Sequence, residues 1–459
     1  MAEANKLANG APKSTSNRST LPADTEFTEY MTSGWDLPEL PLPPLSEVAR
    51  AAAKRREQLA KRLPGETFVI PAGAPKVRAN DTDYPYRAHS AFTWLTGWAH
   101  ETVPESVLVF EADKPADAKL YFRPAAPRTS REFYANPAIG EFWTGPRPTL
   151  AHIASELGIA TYDLEELPEW ASGEEIKPEV LEAVSELRLV KDEYEIKELR
   201  AAIASTKLGF EDVIASFPAA IKSRRGERVI EGAFAARARL EDNTVGYDTI
   251  AAAGSHACIL HWTKNDGAVR AGELLLLDAG VERESYYTAD ITRTLPVSGK
   301  FTEEQKMVYE AVLEAADAAF KVVRPGITFN EVHAAAMEVI AAKVAEWGLI
   351  PVSAEESLSG LQYHRRYMVH GTSHHLGLDV HDCAQARREF YHDGEVKEGM
   401  VFTIEPGLYF QPDDTTVPES LRGIGVRIED DILVTANGAE NLSAGIPRTV
   451  AEVEKWLAS

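Results

Sequence analysis

The pattern of apolar and polar positions divides the chain into two unlike halves. After a Pro-rich lead-in, LPELPLPPLSE (residues 37–47), the run VARAAAKRREQLAKRL repeats apolar residues at helical spacing. Ser46 is placed to cap that helix, and Pro64-Gly65 to stop it. TFVIPAG, SVLVFEA and KLYFRPA then read as strands, and LAHIASELG as a helix. Strands alternating with helices over 45–180 predict a compact α/β domain. The polar, acidic stretch SGEEIKPEVLEAVS (172–185) marks a domain boundary, and the expected division is 36–184 from 185–459.

A long amphipathic pattern follows, ELRLVKDEYEIKELRAAIASTKLGFEDVIASF, with further helices expected at 227–240, 302–323 and 329–347. Between and after them ELLLLDAG, YYTADITRTLPVS, MVFTIEPGLYF and GIGVRIEDDILVT read as strands. The second half is thus α+β, its helices grouped apart from an antiparallel sheet. No internal repeat is visible in the sequence.

Composition narrows the class. A chain of 459 residues is too long for one ordinary domain. A net charge of −23 disfavours nucleic acid and anionic membrane as partners. Two cysteines, Cys258 and Cys383, give no disulfide framework and predict small buried side chains in a reducing compartment. The first 35 residues contain no apolar run of signal-peptide length and are expected to be flexible, which points to a cytoplasmic protein.

The chemistry-bearing residues lie in the second half. Asp278 ends the run LLLLD, and Asp290 lies in YTADITRT. A hairpin centred near Glu284 sets them opposite each other, with Cβ atoms about 5 Å apart. Two carboxylates that close need a cation or a shared proton, unless the register turns one to solvent. Residues 364–381 hold five of the twelve histidines: His364, His370, His374, His375 and His381. No Glu follows His370 and Gly371 weakens a helix, so the His370–His374 spacing is not a helical zinc pair. Glu405 ends a hydrophobic strand before Pro-Gly, and alternation puts Arg427, Glu429 and Asp431 on one face of theirs. Either strand alone reads as a solvated face. Four carboxylates with imidazole suit Mn²⁺ best, with Co²⁺, Fe²⁺ or Zn²⁺ compatible, and balance two divalent ions rather than one.

The ordered set LLLLDAG, YTADITRT, HGTSHHLGLDVHD, TIEPGLY and RGIGVRIEDD resembles the pita-bread metallopeptidases, the group of methionine aminopeptidase, prolidase, aminopeptidase P and the metal-free creatinase. DTDYPYRAHSAFTWLTGW followed by SVLVF is similar to the N-terminal domain of aminopeptidase P. The resemblance implies a C-terminal pita-bread domain behind a smaller α/β, creatinase-like N-terminal domain. It implies that Asp278, Asp290, His374, Glu405 and Glu429 bind two metal ions, with Asp290 and Glu429 bridging them and Glu405 serving as general base toward a bridging hydroxide. His261, His370 and His381 then surround the substrate, Arg427 orients Glu429, and Val380 and Tyr409 line a proline pocket. The implied activity is release of the first residue from peptides with proline second, by a homodimer or homotetramer. The alternatives are a prolidase, confined to dipeptides, and a catalytically inactive scaffold. One departure stands out: the two aspartates are twelve positions apart rather than the eleven of common relatives, and the extra residue falls in VERESYY.

Overall fold

The computed structural model describes residues 24–36, 41–80 and 82–458. The expected flexible segment 1–35 therefore lies largely outside the described residues. Its described part is ordered: Thr25–Thr32 is a helix whose first turn is capped by Asp24, and Phe27 meets Tyr134 edge to face.

The chain divides into two compact units between Ile176 and Lys177. In the first, Ser46 accepts from the Ala49 N–H at 3.2 Å and starts the helix Glu47–Arg62. A four-stranded sheet runs in the order Thr67–Pro71, Val107–Glu111, Lys119–Phe122, Ala160–Asp163. The first three strands are antiparallel and the last is parallel to its neighbour.

The second unit begins before residue 185, because Pro178–Arg188 is one helix bonded into that unit. Ser185 reaches Gln385 and Arg188 reaches Asp379. The amphipathic pattern from residue 186 does not continue as a single helix. It breaks at 189–192, where Asp192 and Glu195 form a capping box that starts Glu193–Lys222.

The order of a helix pair followed by a three-stranded antiparallel sheet then occurs twice. Glu193–Lys222 and Gly226–Glu241 precede Ile250–Ala253, Leu274–Ala279 and Ile291–Pro296. Glu303–Val322 and Phe329–Glu346 precede Val401–Ile404, Asp430–Thr435 and Gly438–Asn441. The duplication is one of topology and is not legible as a sequence repeat. One hydrophobic core runs through both halves, with Phe210, Phe234, Leu277, Val312, Ile340, Phe402 and Ile432 all buried in it. Apolar strands and amphipathic helices thus bury their faces against each other, which leaves strand ends to carry polar side chains. Cys258 and Cys383 are buried and unpaired, as expected. Among the described residues no helix is long and apolar enough to cross a membrane.

Candidate metal centre

Each half supplies two carboxylates from corresponding places. In the first, Asp278 pairs with Thr292 and Ala279 with Ile291. Asp290 is therefore diagonal to Asp278 rather than opposite it, and the hairpin centres on Ser285, one residue beyond the expected Glu284. Positions two apart share a face, so both carboxylates still point to one side. Glu284 to Tyr286 form the tip, with Tyr286 at φ 71 and the Arg283 N–H donating to the Tyr287 carbonyl. This three-residue loop with a left-handed last position accommodates the twelve-residue spacing without turning either aspartate away. Gly280 is required here: a Cβ would come within 1.7 Å of the Ala289 carbonyl oxygen.

In the second half, Ile404 faces Asp430 and Gly407 faces Arg427. The ladder opens between these pairs, and Glu405 and Glu429 occupy its facing positions. Asp431, expected on the same face, is fully buried and accepts from the Asp290 N–H at 3.2 Å.

The side chains converge. His374 Nε2 lies 3.3 Å from Asp290 Oδ2 and 3.6 Å from Glu405 Oε1. Its other nitrogen is 3.1 Å from the His375 carbonyl oxygen, which fixes Nδ1 as a donor and aims Nε2 at the site. Asp290, His374 and Glu429 each place a donor atom within 4.8 Å of the others. Arg427 differs from expectation: its guanidinium pairs with Asp278 and donates to Tyr409 and Thr292. Thr292 is the residue that holds Glu429, donating to Oε2 at 2.6 Å.

Tyr247 was not foreseen. Its hydroxyl lies 2.7 Å from Asp278 Oδ1 and 2.5 Å from Asp290 Oδ1. The segment VGYDTI carries no motif, and the only signal is its place just before the strand that pairs Ile250 with Asp278.

A cavity of about 510 Å³ opens over these groups, lined also by His261, His370, Val380 and His381. Tyr409 stands behind the wall and holds His370 Nε2 at 2.8 Å. His364 and His375 are core residues, the first against Ser357 and the second stacked on Phe329. Neither His370 nor His374 lies in a helix, which agrees with the rejected zinc-pair spacing.

Electrostatics select a cation. Burial raises the Glu405 carboxyl to about 7, with Asp290 and Asp278 adding to the effect against His374 and Arg427. Burial likewise raises Asp290 and pushes Glu429 well above the usual carboxylate range. Burial opposes charge on His374, yet Asp290 and Glu405 override it and hold the imidazolium to about 9. Asp278, Asp290, Glu405 and Glu429 converge with the Arg427 guanidinium and the His374 imidazole on one cavity wall. This excess of negative charge, in oxygen-rich donors with one nitrogen, fits divalent metal.

Residues 197–436 match metallopeptidase family M24, and residues 52–176 match the aminopeptidase P N-terminal domain. The chain belongs to metallopeptidase family M24. It is similar to Xaa-Pro aminopeptidase 1 of Streptomyces coelicolor, with 49% identity over 95% of this chain and 92% of that protein. It is 33% identical to the Xaa-Pro aminopeptidase of Escherichia coli, over 90% of this chain and 99% of that one. The solved structure of Pseudomonas aeruginosa aminopeptidase PepP aligns with a TM-score of 0.76 at 30% identity, covering 89% of this chain and 98% of that chain. This M24 chain is a hydrolase, a metallopeptidase whose pita-bread unit follows a smaller N-terminal domain of the aminopeptidase P type.

Proposed function

We propose that this M24 enzyme releases the first residue of peptides whose second residue is proline. Convergence of Asp278, Asp290, His374, Glu405 and Glu429 on one cavity carries the reading. The 49% identity to an Xaa-Pro aminopeptidase supports the substrate. Asp278, Asp290, His374, Glu405 and Glu429 would hold two divalent ions, Mn²⁺ favoured. When bound, such a pair activates water and polarises the scissile carbonyl.

The protein's own groups do the rest. Glu405, on the cavity wall beside His374, accepts the proton of the attacking water. His261 and His381, open to the cavity, donate to the oxyanion that develops on the carbonyl oxygen and to the leaving nitrogen. His370 is tied to Tyr409 and to the Gly371 carbonyl, so it forms a fixed wall against the substrate. Val380 adds an apolar contact for the proline ring. An Xaa-Pro amide has no N–H and a fixed φ. A site that grips the carbonyl and the free amine does not need that N–H. The trans isomer, the major form in free peptides, is the preferred substrate. The enzyme acts in the cytoplasm as a homodimer or homotetramer, a state that sedimentation measures.

The test is a panel of Xaa-Pro peptides of two to five residues, incubated with metal-stripped enzyme to which Mn²⁺ is restored. Release of Arg from Arg-Pro-Pro is expected. Cleavage confined to dipeptides means a prolidase, and no cleavage at all means an inactive scaffold.

A further inference from the structure

Outside the metal centre one buried carboxyl group is bonded to a single loop by four hydrogen bonds: Glu227, in the first turn of the helix Gly226–Glu241. Its side chain is fully buried. One carboxylate oxygen accepts from the Ala253 N–H at 2.9 Å and from His256 Nδ1 at 2.7 Å. The other accepts from Trp262 Nε1 at 2.9 Å and from the Gly267 N–H at 2.6 Å. The His256 ring stacks on Trp262 with centroids 3.8 Å apart. These four donors span residues 253–267, so one carboxylate gathers the start, middle and end of a single loop. Asn265, at φ 45, pins the same loop to the neighbouring strand through the Ala251 N–H and the Thr249 carbonyl.

That loop carries Leu260, His261 and Thr263 to the cavity. His370 is held by Tyr409, and His374 by the His375 carbonyl. Among the described residues the His261 side chain makes no hydrogen bond, so the backbone beneath it sets its place. Among the described residues no lysine or arginine pairs with Glu227. The four hydrogen bonds from the loop stabilise its charge, and any loosening of the loop leaves a buried carboxylate unsatisfied.

We propose that Glu227 is a positioning residue for the reaction, fixing His261 against the substrate through the Trp262–His256 stack. This rests on the role given to His261 above. A displacement of about 1 Å at such a group costs up to about a hundredfold in rate.

The experiment compares Glu227→Gln and Trp262→Phe, each made in the wild-type enzyme and in His261→Ala. Trp262→Phe removes one donor and keeps the stack, so it reads the proposal even where Glu227→Gln does not fold. Metal-loaded enzyme is assayed on Arg-Pro-Pro at a temperature well below each variant's Tm. The expected result is a loss of about tenfold or more in kcat/KM with the Tm nearly kept in Trp262→Phe, shrinking to about twofold in the His261→Ala background. Equal losses in both backgrounds, or a fall in Tm with kcat/KM unchanged, overturn the proposal. If His261→Ala alone leaves cleavage intact, the assigned role of His261 fails instead, and the two failures are distinct.

Discussion

Glu405 and Glu429 face each other across two neighbouring strands, at the one gap between the Ile404–Asp430 and Gly407–Arg427 pairs. Like charges at facing positions destabilise a sheet. Here the fold accepts that repulsion because the gap opens onto the cavity that Asp278, Asp290 and His374 also line. Each topological half contributes two carboxylates, and the candidate metal centre is assembled where the halves meet.

Glu405→Gln removes the proposed proton acceptor and keeps the shape of the side chain. Cleavage of Arg-Pro-Pro should fall by about a thousandfold, within the range for loss of a general base. His374→Ala should abolish cleavage, since it removes the imidazole that meets Asp290 and Glu405. Both variants should keep the parent enzyme's calorimetric unfolding profile, because the hydrophobic core lies elsewhere.

Tyr247→Phe deletes the hydroxyl between Asp278 and Asp290. Groups that orient metal ligands are worth about ten- to a hundredfold in affinity. Mn²⁺ titration by calorimetry should show a loss of that size. Unchanged affinity would mean that the aspartates hold their places without it.

Added metal should stabilise the fold. Buried carboxylates that repel one another are relieved by a cation, and a ligand at about 100 times its Kd adds about 2.7 kcal/mol. The Tm of chelator-treated protein should therefore rise with Mn²⁺ and saturate.

Asp382 governs stability at low pH. Burial opposes its charge, yet Arg188 and Lys191 outweigh burial and hold the carboxyl well below its ordinary value. A depressed folded-state value means that the stabilisation is complete above the unfolded value of about 4 and is lost as pH falls below it. Asp382→Asn leaves buried Lys191 and Arg188 facing a neutral amide, with Asp379 still on Arg188, and should cost about 3–5 kcal/mol at neutral pH. Urea unfolding from pH 7 down to pH 3 should show a steeper decline in the parent enzyme than in the variant.

The sequence carried most of the fold because its strands are continuous apolar runs and its helices have clear caps. LLLLD reads as a buried strand carrying a charge near its end, and Ser46 begins its helix by a local bond that the sequence displays, whereas the capping box at Asp192 passed inside one continuous amphipathic pattern. What it hid were relationships across the chain. The hairpin register slid by one residue because the turn at Glu284–Tyr286 uses a non-glycine left-handed position, which leaves no Gly or Asn to read. Arg427 could be placed beside the site, but its pairing with Asp278 rather than Glu429 depends on a strand 149 residues away. Tyr247 and Glu227 carry no motif at all, and their partners lie up to 43 residues off in sequence.

Anomalous diffraction from crystals soaked in Mn²⁺ tests the metal pair directly. Two peaks about 3.5–4 Å apart are predicted, enclosed by Asp278, Asp290, His374, Glu405 and Glu429. No peak, or a single peak away from those five side chains, would contradict it.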